Sequence, residues 1–178
     1  MRAVPASEPL LADIVSTDLR ILLVAINPAP LSSRLGQHFA TPTNLFWKLL
    51  YASGLTSRLF EPGEAPLLVA EGIGLTSLVE RATRTAAELG RAERRVGATV
   101  LTRTVERLKP SVVALLGLTL FPDVFPGASE PGPGLKGVTL SGSAVFVLPN
   151  PSGRNRAYPG LAGKLPWYRE LAERFPRP

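Results

Sequence analysis

At 178 residues and 45% hydrophobic content, the chain suits one domain around one core, and its formal charge of +6 with a pI near 10.3 suggests an acidic partner, nucleic acid being the commonest. The absence of cysteine excludes disulfides, zinc–thiolate sites, iron–sulfur clusters and cysteine nucleophiles, and the single histidine, His38, excludes a multi-histidine metal site, so neither a metal nor a cofactor is expected. The stretch MRAVPASEPLLADIV lacks the charged start and apolar core of a signal peptide, and no apolar run reaches the length of a membrane span, so a cytoplasmic, monomeric protein without membrane association is expected.

Residues 1–17 read as an N-terminal extension of a single domain that occupies 1–178. ILLVAI, Ile21 to Ile26, is continuous and rich in branched residues, as a strand buried on both faces should be. A proline-punctuated loop follows. NLFWKLLYASG, Asn44 to Gly54, predicts a helix that Asn44 caps and Gly54 stops, with Phe46 and Trp47 in the core. IGLTSLV, Ile73 to Val79, predicts a second strand. Arg91 to Pro110 predicts a long helix with Leu101, Val105 and Leu108 on one face and Pro110 at its end. SVVALLG, Ser111 to Gly117, predicts a third buried strand, and the proline- and glycine-rich stretch Pro122 to Gly134 a loop. Gly137 to Asn150 reads as a hairpin turning at Ser141 to Ser143. Leu165 to Phe175 predicts a final helix, with Trp167, Leu171 and Phe175 spaced by four.

Strands alternating with helices imply a three-layer α/β/α sandwich with a central, mostly parallel sheet. Ligands of such sheets bind beyond the carboxyl ends of the strands. Two loops there are rich in asparagine, proline and serine. One follows Ile26, and the other, PNPSGRNRAYPG, follows Leu148. Turn chemistry explains Asn-Pro and Ser-Gly in either loop alone. Two rigid Asn-Pro loops after two core strands point to a shared site. Sixteen of the twenty basic residues are arginine, which suits phosphate contacts where geometry matters.

INPAPLSS, GQHFATPTNLFWKLL and LPNPSGRNR, joined by GLTSLVERAT, RLKPSVVALLG and VFVLPNPSG, resemble the mismatch-specific uracil-DNA glycosylase and thymine-DNA glycosylase family. The resemblance covers roughly Asp18 to Phe175. It implies a uracil-DNA glycosylase-like fold and an enzyme that flips uracil, and in some members thymine or an alkylated base, out of a mispair with guanine. The enzyme then hydrolyses the N-glycosidic bond. Double-stranded DNA containing uracil or mismatches is the implied partner.

By the same resemblance Asn27 is catalytic and orients the attacking water. A neutral amide can aim a water but is a poor general base. Phe39 matches the family's stacking phenylalanine, and Ile26, Pro28, Ser33 and Asn150 join it in the base pocket. Ser152, Gly153, Arg154, Asn155 and Arg156 form the wedge that enters the vacated position in the duplex. Ser32 and Ser33 can each serve base, phosphate or turn, and His38 is open to structural and catalytic readings alike.

Two positions depart from the commoner pattern. Arg154 stands where the family often has leucine, and Ala29 where glycine is common. A methyl at Ala29 narrows a pocket, which favours uracil over thymine. Two other readings compete: a DNA-binding or lesion-sensing module that kept the fold without the catalysis, and a nucleotide-handling α/β enzyme. The second is weak, because no glycine-rich phosphate loop opens a helix.

Overall fold

The computed structural model describes residues 10–177. Five apolar residues, Ile21–Ala25, form β1, and every one is buried, so this strand has no solvent face. It pairs in parallel with β2 (Ile73–Ser77) on one side and β3 (Val112–Leu116) on the other. β3 pairs in parallel with β5 (Ser143–Leu148), and β4 (Gly134–Leu140) closes the sheet as an antiparallel edge. The strand order is β2-β1-β3-β5-β4. The chain leaves β1 towards one edge and returns from β2 to β1's other side. The carboxyl ends of β1 and β3 therefore flank the point where the order reverses.

The pleat sends alternate residues to opposite faces. Leu23, Ala25, Leu75, Ala114 and Phe146 face α2 (Phe46–Ala52) and α5 (Leu165–Arg174). Leu22, Val24, Val113 and Val145 face α3 (Arg91–Leu108) and α4 (Leu120–Val124). The expected three-layer α/β/α sandwich is present. The hairpin turns where expected, with Ser141 and Gly142 both left-handed (φ 48° and 87°), the backbone that a two-residue turn between twisted strands needs. Asn44 Oδ1 accepts a hydrogen bond from Phe46 N–H at 2.9 Å and caps α2. Lys109, left-handed at φ 47°, ends α3 just before Pro110.

Several elements differ from the sequence expectation. The stretch after Asn27 is not all loop: α1 (Pro30–Leu35) starts at a proline, whose fixed φ suits a first helical turn. A 3₁₀ helix covers Pro62–Glu71, and α4 takes the first residues of the loop expected at Pro122. In α5 the wholly buried residues are Tyr168 and Leu171, whereas Trp167 is half-buried. Of the N-terminal extension expected over 1–17, residues 1–9 lie outside the described residues. Within the rest, Ile14 exchanges both backbone hydrogen bonds with Leu75 at 2.8 and 2.7 Å. No helix among the described residues is long and apolar enough to cross a membrane.

α3 approaches the end of β2 at Gly97. A Cβ at Gly97 would stand 2.0 Å from the Leu78 carbonyl oxygen, so only glycine permits this contact. Alanine in place of glycine gains up to about 1 kcal/mol of helix propensity. Overpacking against backbone costs about 3 kcal/mol. Gly97→Ala is therefore expected to destabilise the protein by about 2 kcal/mol net, read as a lower denaturant midpoint. A midpoint at or above that of the wild type would show that α3 shifts freely.

Candidate active site

Beyond the carboxyl ends of β1, β2, β3 and β5 lies a cavity of ≈ 590 Å³. Four chain segments build its wall: Ala25 to Ser32, His38 to Asn44, Thr83 to Ala86, and Asn150 to Arg154. Both Asn-Pro loops expected to share a site do share it. The third wall, Thr83 to Ala86, was given no site role from sequence, although Thr83 ends the GLTSLVERAT stretch that carries part of the family resemblance.

Asn27 is held by its amide nitrogen. Nδ2 donates to Thr83 Oγ1 at 2.7 Å, to the Arg81 carbonyl at 2.9 Å and to the Pro28 carbonyl at 3.2 Å. Carbonyls only accept, so the orientation of the amide follows from its neighbours. Oδ1 has no hydrogen-bond partner among the described residues, which leaves an acceptor at the cavity wall. Asn150 is fixed the opposite way. Its Oδ1 accepts from Ser152 N–H at 2.8 Å, and its Nδ2 makes no hydrogen bond among the described residues. One asparagine thus offers an acceptor to the cavity and the other a donor.

Phe39 also lines the cavity. One ring face stacks on Phe46 at a centroid distance of 3.9 Å and an interplanar angle of 18°. Its backbone is left-handed at φ 52°, a conformation that costs a bulky residue roughly 1–3 kcal/mol. The neighbours on both sides hold it there. His38 Nε2 donates to the Ala12 carbonyl at 2.8 Å, and Ala40 N–H donates to Ser32 Oγ at 3.2 Å. His38 is therefore a strut under Phe39.

Ile26, Pro28 and Ala29 line the cavity as expected, and so does Ser32. Ser33 does not. It is 2% exposed and lies outside the lining. Pro30, Leu31 and Ser32 of α1 reach the cavity, and the next residue of the helix, Ser33, turns away from it. Ser152, Gly153 and Arg154 reach the cavity, whereas Asn155 and Arg156 do not. Asn155 instead braces its own loop, donating from Nδ2 to the Asn150 carbonyl at 3.2 Å and accepting from Tyr158 N–H at 3.3 Å.

This second loop is anchored from three directions. Leu45 N–H donates to the Pro151 carbonyl at 3.0 Å, and a Cβ on Gly153 would meet the Thr43 carbonyl at 2.7 Å, so the two loops touch backbone to backbone. Tyr168, fully buried, donates its hydroxyl proton to the Pro149 carbonyl at 3.1 Å, and burial pushes its phenol far above the usual value. Lys164, with no exposed surface, donates Nζ to the carbonyls of Tyr158 and Gly160, and burial lowers its pKa.

Among the described residues no carboxylate lines the cavity, the charged groups in its wall are Arg84 and Arg154, and neither makes an ion pair. Such a wall favours an anion and provides no strong base.

His38 titrates in a readable way because it is the only histidine. Burial lowers its pKa, against smaller opposing effects of the Ala12 carbonyl and Asp13. Below the unfolded value of about 6.5 the unfolded chain takes up a proton that the folded chain refuses. The stability that neutral His38 contributes is thus complete above pH 6.5 and declines as pH falls through the lowered folded value. Thermal midpoints measured from pH 8 to 5 are expected to fall in the wild type and to fall less in His38→Gln. Parallel curves would show that His38 carries no such linkage.

A family model described as "Uracil DNA glycosylase superfamily" matches residues 12–174, a span that takes in all four cavity walls. The match, the five-stranded sheet and the cavity at its carboxyl edge agree: this chain belongs to the uracil DNA glycosylase superfamily and is a DNA glycosylase.

Proposed function

We propose that the protein excises uracil from mispairs with guanine in double-stranded DNA, with Asn27 as the water-orienting residue. The observation that carries this reading is the fixed amide of Asn27, whose nitrogen is engaged by protein and whose oxygen is left at the cavity wall. A target base inside a duplex is inaccessible, so the nucleotide must rotate into the cavity. Phe39 supplies a flat apolar surface against which the base stacks. Asn150 Nδ2 supplies a donor for a base carbonyl.

In the reaction, the bond between C1′ of the sugar and the base nitrogen breaks, and its electron pair leaves with the base. A water oxygen adds to C1′, and the proton lost by the water ends on solvent or base. Positive charge develops on the sugar and negative charge on the base. Asn27 Oδ1 accepts a hydrogen bond from the water and aims it, while preorganised donors stabilise the departing anion. With no carboxylate base in the wall among the described residues, the protein depends on weakening of the glycosidic bond, which suits easily flipped mismatched bases. The Ala29 methyl in the wall supports uracil over the bulkier thymine.

Asn27→Ala is expected to lower single-turnover uracil release by at least about 100-fold with duplex affinity nearly unchanged. Release is expected to rank uracil opposite guanine above uracil opposite adenine, with thymine opposite guanine last. Wild-type release by a folded Asn27→Ala variant would overturn the assignment to Asn27, whereas absence of release by the wild type itself would favour a lesion-sensing role.

Arg154, exposed at the tip of a braced loop, is proposed as the wedge, since its loop is held too firmly to yield when pressed into a base stack. Flipping costs a few kcal/mol, least for mismatched or unpaired bases. Arg154→Ala is expected to impair release most from uracil opposite adenine and least from single-stranded uracil. Equal losses on all substrates with a flatter salt dependence would make Arg154 a phosphate contact instead.

A further inference from the structure

The loop after β2 carries a directional hydrogen-bond chain that ends on Asn27. Thr83 is 6% exposed. Its hydroxyl donates to the Thr85 carbonyl at 2.8 Å, which uses its only proton. Towards Asn27 the same oxygen can therefore act only as an acceptor, and it stands 2.7 Å from Nδ2. Thr83 N–H also donates to the Pro28 carbonyl at 3.2 Å, so backbone and side chain grip the Asn-Pro turn together. We infer that Thr83 is a positioning residue of the active site: its committed hydroxyl locks the Asn27 amide with nitrogen inward and Oδ1 toward the water.

The loop is itself braced. Arg81, whose carbonyl is the second acceptor for Asn27 Nδ2, is held through its guanidinium by Glu93 at 2.8 and 3.0 Å and by the Glu88 carbonyl at 3.0 Å. Thr85, which receives the Thr83 proton, donates its N–H to Glu88 Oε1 at 2.9 Å. The first turn of α3, through Glu93, and the short 3₁₀ turn Ala86–Glu88 before it thereby fix the acceptors that orient Asn27. An amide turned end for end would place Oδ1 against two carbonyls and an oxygen with no proton to give. That state is electrostatically repulsive at each contact. Removing the Thr83 hydroxyl deletes the shortest of the three contacts and leaves the two carbonyls, so the expected effect is partial.

This inference rests on Asn27 orienting the water, and the test separates the two. Thr83→Val removes the hydroxyl and keeps the shape. It is expected to lower single-turnover uracil release about tenfold, the worth of one well-placed hydrogen bond. Affinity for an abasic duplex is expected to stay within about twofold. Thr83→Ser, which restores the hydroxyl, is expected to recover release to within about twofold of wild type. Asn27→Ala runs alongside. If it releases uracil at the wild-type rate, the reading of Asn27 falls. If Asn27→Ala is inactive while Thr83→Val is fully active, the positioning role falls alone. Equal losses in Thr83→Val and Thr83→Ser, or a fall in duplex affinity matching the fall in release, would also overturn it. Thr83→Ala is a second variant without the hydroxyl; unfolding of both Thr83→Val and Thr83→Ala would show a folding group rather than a positioning one.

Discussion

A side-chain amide on a strand end can rotate about two torsions, and the water-aiming role proposed for Asn27 tolerates little of that freedom. The bonds from Asn27 Nδ2 to the Arg81 carbonyl and Thr83 hydroxyl remove it, tying together chain segments 54 and 56 residues apart. Much of the fold serves this junction. β1 and β2 pair from Ile21 to Ala25 in register with Ile73 to Ser77, which delivers both loops to the same edge. Leu78 N–H donates to the Ala25 carbonyl and Val79 N–H to the Ile26 carbonyl, at 2.8 and 3.0 Å, extending the ladder to the edge of the site. Gly97 then lets α3 close over Leu78, and its first turn braces Arg81 through Glu93.

The opposite wall follows the same logic with different parts. The PNPSG loop buries Pro149 and Pro151, and its shape is fixed further by satisfied carbonyls. Pro149, Asn150, Pro151 and Tyr158 each have their carbonyl oxygen taken, by Tyr168, Asn155, Leu45 and Lys164 in turn. Burying the lysine and the phenol carries a desolvation cost, which falls on the carbonyls they serve.

The chemistry of the cavity is set by what it omits as much as by what it contains. Two fixed amides, one aromatic face and two arginines without ion pairs surround a space with no carboxylate among the described residues. An amide cannot take a proton from water with any efficiency, so on the proposed reading acceleration comes from aiming the water and stabilising separated charge. A superfamily fold built to hydrolyse a glycosidic bond can work this way when the base is already a good leaving group.

The sequence alone established the sheet and the two Asn-Pro loops. β1 and β3 are short, wholly apolar runs, and such runs survive only where both faces are covered. Asn27 and Asn150 stood out because they sit in Asn-Pro loops at strand ends, and Phe39 only through the family resemblance of GQHFATPTNLFWKLL. Which serine faces the cavity was not legible, since it turns on whether Pro30 starts a helix or continues a loop, and one proline permits both. Thr83 ends the GLTSLVERAT stretch, yet its contact with Asn27 was not legible, because that hydrogen bond joins loops that only sheet register brings together. The same holds for Lys164, a turn residue just before α5, and for Tyr168 within it. Local composition determines which segments become strands and turns; only the parallel pairing of distant strands decides which side chains meet at their ends.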